Sequence, residues 1–393
     1  MTLMQPDERT RVGFLLEPDT WVGGRNYFRN LLIAFAQLPD PEIEPFVFTS
    51  KEDDTALAGI PAVKVVRTSM MDRRTLPWLA RKITAKALAG DWMLQRLLNQ
   101  KGIAVLSHRG PLVPNSSIPS VGWIPDFQHV HLPAFFGERD RRERDRDFMD
   151  LCRKCDKVIV SSECARLDLQ AFAPQYAGKA EVLHFVASPA EQGILPLLPE
   201  LRQRYGFEGP YFLLPNQFWA HKNHRIVVKA LQLLKQRHQR VLVLATGETK
   251  DRRHPEFFDS LMRYATECDV LDLFRVLGVI PFNDLSGLMV HAVALINPSK
   301  FEGWSTSVEE SKSLGKRILL SDIPVHREQA PALGVYFSPD DAEGLARGLC
   351  ESLENFDTES DFRIQESTRV NLRSKQVQFA ETFQQIVLST GRQ

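Results

Sequence analysis

A run of apolar residues at 292–296 leads directly into NPSKFEGWSTSVEESKSLGKRILLSD. A strand that is apolar at every position has no face to offer to water, so it belongs inside a parallel sheet covered by helices on both sides. Parallel neighbours need a crossover, and the next residues supply one. A loop carries Pro298 and Gly303. Thr306 with Glu309 three positions later has the form of a capping box, which starts a helix near Ser307, and Gly315 ends it. The unpaired N–H groups and positive dipole end of such a helix suit an anion, and Ser305, Thr306 and Ser307 add small side chains and hydroxyls. Glu302 lies in the loop before that point and Glu310 one turn inside the helix, eight positions on. A carboxylate placed so can accept the paired hydroxyls of a sugar or ribose, giving the pattern of a nucleotide-sugar site. An acidic helix start that merely complements the dipole is the other reading of these residues.

Strand and helix patterns alternate through the rest of the chain. RVGFLL, IEPFVFT, VKVVR, AVLS, VGWI and KVIV read as strands, with helices at 27–38, 78–99 and 139–153. YFLL, VLVLA, FRVLG, AVALI, RILL and VYF restart the pattern, with helices opening near Asn223, Pro255, Asn283, Ser307 and Asp340. The breaker-rich stretch ASPAEQGILPLLPE puts a linker at about 187–206, and 369–389 reads as a helical tail. A chain of 393 residues suits two domains of ordinary size. Its net charge of +0 gives no pull toward nucleic acid. No apolar run has the length to span a bilayer, and MTLMQPDERTR lacks the apolar core of a signal peptide, so a cytoplasmic location is expected.

Several loops carry candidate chemistry. Lys222, in PNQFWAHKNH, precedes a helix that Asn223 can cap, and offers a mobile positive charge to a phosphate oxygen. Gly23 and Gly24 stand before the helix that follows the first strand, where a ligand can approach the backbone, although a plain tight turn explains such a pair equally well. WIPDFQHVHLP sets Asp126, His129 and His131 in a loop at a strand end, where open α/β sheets place their chemistry. No third ligand accompanies the two histidines, and the DRD at 145–147 lies among charges recurring at helical spacing, so no metal is expected. Cys152 and Cys155 form one C-x-x-C without a second pair and read as structural. No G-x-G-x-x-G follows any strand, which argues against a nicotinamide or flavin cofactor. Between residues 67 and 101 eight Lys or Arg face two Asp, interleaved with Leu76, Trp78, Leu79, Ile83, Leu88 and Trp92. That composition fits either an anionic membrane surface or an amphipathic core helix with a basic outer face.

The Glu302–Glu310 motif and its continuation SLGKRILLSDIPVHREQ resemble the retaining glycosyltransferases of family 4, the group 1 glycosyltransferases, over most of the chain. The resemblance implies the GT-B architecture: two facing Rossmann-like domains with a cleft between them and a C-terminal helix crossing back. The corresponding bounds are 1–190 for an acceptor-side domain, 191–370 for a nucleotide-sugar-binding domain and 371–393 for the helix. It implies a metal-independent hexosyltransferase without a cofactor, moving a hexose, mannose-type, from a GDP- or UDP-sugar to a glycan or lipid-linked glycan in cell-surface polysaccharide synthesis; peripheral contact at the inner membrane face is one of the two readings of the basic segment at 67–101. By the same resemblance Glu302 contacts the transferred sugar, Glu310 the ribose and Lys222 the phosphates. Gly23 and Gly24 face the donor phosphates, and backbone around Val279 and Ile280 faces the base. Gly303, Trp304, Ser305, Thr306 and Ser307 complete the donor loop. The chain departs from the family twice. Asn216 and Gln217 stand where many members carry an arginine, and Pro125 stands in the usual histidine position before Asp126, so either His129 or another contact replaces it. These departures leave open a catalytically inactive nucleotide-sugar or glycan-binding protein, and an epimerase of the same architecture.

Overall fold

The computed structural model describes residues 9–17, 22–51, 60, 63–187 and 195–390. The chain divides into two compact units. One comprises Met1–Phe127, Arg142–Val186 and Arg373–Gln393; the other comprises Gln128–Arg141 and Ala187–Leu372. The sequence reading keeps 128–141 inside 1–190, whereas by its contacts this short segment goes with the second unit.

The first unit is built on seven parallel strands: β1 (Thr10–Leu15), β2 (Ile43–Thr49), β3 (Lys64–Arg67), β4 (Val105–Ser107), β5 (Ser120–Ile124), β6 (Lys157–Val160) and β7 (Ala180–Val182), in the order β3-β2-β1-β4-β5-β6-β7. β2 is buried at every position, as a strand covered on both faces must be. The second unit has β8 (Phe212–Leu214), β9 (Val243–Thr246), β10 (Phe274–Gly278), β11 (Leu295–Asn297), β12 (Ile318–Ser321) and β13 (Gly334–Phe337), in the order β10-β9-β8-β11-β12-β13. Its unbroken apolar runs divide by parity. Phe212, Leu214, Val243, Ala245, Ile296 and Leu319 face one core, while Leu213, Leu244, Leu295, Ile318 and Leu320 face the other. In each sheet the order reverses once, between β1 and β4 and between β8 and β11. At such a reversal the adjacent crossovers leave in opposite directions and open a crevice at the strands' carboxyl ends. This is the Rossmann-like doubling expected from the sequence.

Four local expectations need correction. The helix read at 78–99 is two, Leu76–Ala87 and Trp92–Gln100. Ala89 turns to φ 50°, and Gly90 lies so close to the 112–114 backbone that a Cβ there would sit 3.0 Å from Val113 Cα. The Asp91 carboxylate then caps the second helix by accepting from Leu94 N at 3.2 Å. Arg81, one of the cations of this segment, is buried, bonded to Asp91 at 2.7 Å and to the Met70 carbonyl at 3.0 Å. Within the linker assigned to 187–206, residues 188–194 lie outside the described residues, but Leu198–Tyr205 is helical, its first turn closed by Glu200 accepting from Leu197 N at 2.9 Å. The tail begins earlier than read: Thr358–Leu388 is one helix of 31 residues. Its start is tied down by Lys316, whose buried ammonium bonds Asp361 at 2.6 Å and the Ala292 carbonyl at 2.5 Å. Its end enters the first unit's core, where Phe383 stacks on Phe14 at 5.8 Å and meets Phe35 edge-on at 5.3 Å. Finally, Gly23 and Gly24 are not in a loop but in the first turn of Val22–Phe35.

Cys152 and Cys155 are both buried, and desolvation pushes the Cys155 thiol up to about 11. Lys179 closes the helix end beside them by donating to the carbonyls of Cys152 (3.0 Å), Arg153 (3.3 Å) and Cys155 (2.6 Å).

Candidate functional site

The crevice between β8 and β11 gathers most of the residues singled out in the sequence. β8 runs into Asn216 and Gln217, and the following loop is tightly nested against β9. At Gly247, with φ 139°, a Cβ would stand 2.6 Å from the Asn216 carbonyl oxygen, so only glycine fits. Gln217 accepts from Glu248 N at 2.6 Å, and Asn216 is buried with its side-chain oxygen unpartnered. His224 stacks on Phe218 and lies 3.3 Å by Nε2 from the Asn216 carbonyl, an acceptor only, so Nε2 carries the proton. Burial pushes the His224 and His221 rings down to about 3, so both are neutral at neutral pH.

Asn223 does not cap the helix His224–Gln236. It sits at φ 58° and spends its amide on two distant carbonyls, Pro298 O at 3.1 Å and Pro339 O at 2.8 Å. Lys300 N also donates to the His221 carbonyl at 2.9 Å. These bonds sew the loop after β8 to the loop after β11 and bring Lys222 Nζ within 2.7 Å of Glu302 Oε1. Both side chains are largely buried. Burial alone would raise the Glu302 carboxyl, but the charge of Lys222, then His326, and hydrogen bonds from Lys222 and Ser299 outweigh it and hold the group down to about 2.

The helix Thr306–Leu314 starts without the capping box read from the sequence. Ser305 is the N-cap residue and its side chain makes no cap bond. Instead Asn297, fully buried at the end of β11, donates to Ser305 Oγ at 2.7 Å and Ser307 Oγ at 3.1 Å, and its carbonyl accepts from the Ser299 hydroxyl at 2.7 Å. Glu309 turns to Lys312 at 2.8 Å and to the Gln329 amide at 2.9 Å. Gln329 also brackets the Ser305 backbone, accepting from its N–H at 3.1 Å and donating to its carbonyl at 3.0 Å. The helix start is thus held rigidly while no side chain caps it, which keeps its dipole end available to an anion.

Glu310 lies one turn inside. It is 8% exposed, and among the described residues its carboxyl has neither a hydrogen bond nor an ion pair. Desolvation pushes it up to about 8. Gly303 and Thr306 are half-buried and Trp304 is buried; Val279, on the loop after β10, is exposed and Ile280 beside it half-buried. Asp126, after β5, and Gly23 and Gly24, in the helix after β1, belong to the first unit, whereas His129 belongs to the second unit with 128–141. There His129 is buried edge-on to Phe136, and His131 lies over Phe301 at 5.2 Å. Among the described residues no group of three His, Cys, Asp or Glu is placed to hold a metal ion. Asn297, Gln329 and His326 are the residues that sequence reasoning passed over. Of these only Asn297 carried a signal, as the polar residue closing an apolar strand.

Residues 199–369 match the model of a family described as Glycosyl transferases group 1. The O-antigen chain mannosyltransferase RfbU of Salmonella typhimurium is 28% identical over 255 residues, 64% of this chain, and the match spans 65% of that relative's length. Among solved structures, a glycosyltransferase from Rickettsia africae superposes with a TM-score of 0.65 at 14% identity, covering 97% of this chain and 99% of its own. Anabaena HepE in complex with UDP and glucose gives 0.66 at 15% identity, covering 97% and 100%. At such identities the superpositions speak for the fold. Two Rossmann-like units with a long C-terminal helix constitute the GT-B fold.

Proposed function

We propose that this protein is a retaining family 4 glycosyltransferase that moves a hexose, mannose-type, from a GDP- or UDP-sugar to a glycan or lipid-linked glycan acceptor in cell-surface polysaccharide synthesis. The observation that carries the reading is Glu310, a buried carboxyl without a partner, one helical turn from an uncapped helix start and across the crevice from an ammonium. A desolvated carboxylate without partners is costly, and vicinal ribose hydroxyls are the groups that would satisfy it. Lys222 and the backbone at 306–308 receive the diphosphate. Glu302, with the backbone of 303–305, orients the sugar. Charge growing on the leaving phosphate meets donors already in place, which lowers the barrier without reorganisation. Asp126, of the first unit, or His129, of the second, contacts the sugar, and the acceptor attacks the face from which the phosphate departs, that phosphate assisting removal of the proton. The mannose assignment takes its support from the name of the Salmonella relative.

Thermal melts with UDP-, GDP-, ADP- and dTDP-sugars should single out one base, because a ligand that binds only the native state raises the apparent melting temperature. The same donor should be hydrolysed slowly, releasing its nucleoside diphosphate at an equal rate in chelator. A panel in which no nucleotide sugar shifts the melt or is turned over removes the transferase reading. Rescue of a chelator-dead enzyme by manganese or magnesium removes its metal independence.

No helix among the described residues is long and apolar enough to cross a membrane. We place the protein in the cytoplasm, touching the inner membrane face through the helix pair Leu76–Ala87 and Trp92–Gln100. Leu76, Leu79, Ile83, Leu88 and Trp92 are exposed there beside the exposed cations Lys82, Lys86 and Arg96. Arg81 takes no part, being committed to Asp91 beneath the helix. Replacing Lys82 and Lys86 by glutamine should reduce co-sedimentation with anionic vesicles, each charge contributing about 1 kcal/mol, and leave donor hydrolysis unchanged. Wild-type protein that stays in the supernatant at low salt disposes of the membrane contact.

A further inference from the structure

Asn297 closes β11 and is fully buried. Its Oδ1 accepts from the Ser299 hydroxyl at 2.7 Å and from Ser299 N at 3.3 Å. A backbone N–H can only donate, which fixes the amide: oxygen toward Ser299, nitrogen toward Ser305 Oγ at 2.7 Å and Ser307 Oγ at 3.1 Å. Both protons of Nδ2 are thereby spent, and each serine oxygen accepts in its bond to Asn297. The two hydroxyl protons must go elsewhere. The serine oxygens lie 3.2 Å apart, and the line between them has room for one proton. The other has no acceptor among the described residues, although Ser305 is 3% and Ser307 6% exposed. A donor buried in that way calls for an acceptor.

One turn further along the same helix the need is the reverse. The Glu310 side chain, 8% exposed, has no partner among the described residues, and a carboxylate there takes donors. A ligand that answers both demands carries bare oxygens at the helix start and hydroxyls one turn along, as a nucleoside diphosphate does. We infer that Asn297 commits the Ser305–Ser307 pair to present one hydroxyl proton to an oxygen of the diphosphate, so that the pair acts as a single donor beside the backbone N–H groups of the helix start. Asn297 itself touches no ligand and is a positioning residue. The helix start does not depend on the hydroxyls, because Gln329 holds the Ser305 backbone at its N–H (3.1 Å) and at its carbonyl (3.0 Å). This role deepens the donor site proposed above and rests on it.

The test is calorimetry with the nucleoside diphosphate of the base selected by the melts and with its phosphate-free nucleoside. Combining Ser305→Ala with Ser307→Ala should weaken the nucleoside diphosphate roughly 10-fold or more, as loss of a hydrogen bond to a charged group does, and leave the nucleoside unchanged. At least one of the two single variants should bind like the wild type, because removing the inner serine still leaves one outward proton. Losses in both singles that add up to the loss in the double would mean two separate contacts and overturn the single shared proton. Asn297→Asp supplies the second arm. A carboxylate only accepts, so both hydroxyls turn inward to it, and replacing the two serines in that background should cost nothing. The added negative charge is present on both sides of this comparison and cancels. The same roughly 10-fold cost in both backgrounds overturns the orienting role of Asn297. Should Asn297→Asp not fold, the serine variants still decide, since equal losses for nucleoside and nucleoside diphosphate overturn the donation. A wild type that binds no nucleoside diphosphate removes the donor site and this role with it, whereas a wild type that binds it no better than the serine double variant removes the role alone.

Discussion

Replacing Glu310 by alanine is expected to weaken binding of the nucleoside diphosphate by about 1.5–3 kcal/mol, roughly 10- to 150-fold, the range for hydrogen bonds to a charged group. The expectation has an unusual pH signature. Because desolvation holds the carboxyl at about 8 in the empty site, it is mostly protonated at neutral pH, and a hydroxyl-accepting carboxylate must first lose that proton. Wild-type affinity should therefore climb as pH rises toward about 8 and level off above it, whereas Glu310→Ala should be flat over the same range. Stability runs the other way. A carboxyl whose folded value lies above its ordinary 4.5 favours the folded state fully below 4.5 and loses that contribution as pH rises through about 8. Glu310→Gln, which keeps the shape and cannot ionise, should melt higher than wild type at pH 9 while binding nucleotide poorly. Calorimetry and melts across this range check both halves, and unchanged nucleotide affinity in either variant rejects the ribose role.

The second large effect is at Lys222. Alanine there should lower turnover roughly 10²- to 10³-fold, as loss of one preorganised charge donor does, while affinity for the intact donor falls much less. The reason is that charge on the departing phosphate grows only toward the transition state. Equal losses in kcat and in donor binding would mean that the lysine only holds the ground state. The free protein should also lose about 1–3 kcal/mol, because Glu302 is left in a largely buried place without its cation. The pairing keeps Glu302 at about 2 against an ordinary 4.5, so its stabilisation is present above 4.5 and vanishes as pH falls through about 2. The stability gap between wild type and Lys222→Ala should accordingly close in acid.

What could be read from the sequence and what could not divide along a physical line. The strands of both sheets were visible because burial on two faces leaves uninterrupted apolar runs, and the neighbourhood of Glu302 and Glu310 was visible because strand, loop and helix start are contiguous in the chain. The strand that escaped was β7, which has little local signal, being only three residues long and half-buried throughout. Asn223 looked like a cap because caps are local, but its amide is claimed by carbonyls 75 and 116 positions away. Thr306 and Glu309 had capping-box spacing, yet Asn297 and Gln329 settle that helix start from a neighbouring strand and helix. The break at Ala89 did carry a local signal, Gly90, packed on the 112–114 backbone, followed by the cap Asp91, and the reading of one helix over 78–99 passed over it.

The helix Thr358–Leu388 also has a consequence for how the chain is made. Translation delivers the strands of the first unit early, but Phe379, Ala380, Phe383 and Val387, all buried, come off the ribosome only after the whole of the second unit. Until then Phe14 and Phe35 lack the aromatic ring that covers them. The part synthesised first is therefore the part completed last, and the nascent chain carries an open apolar seam through most of its synthesis, the kind of surface on which chaperones act.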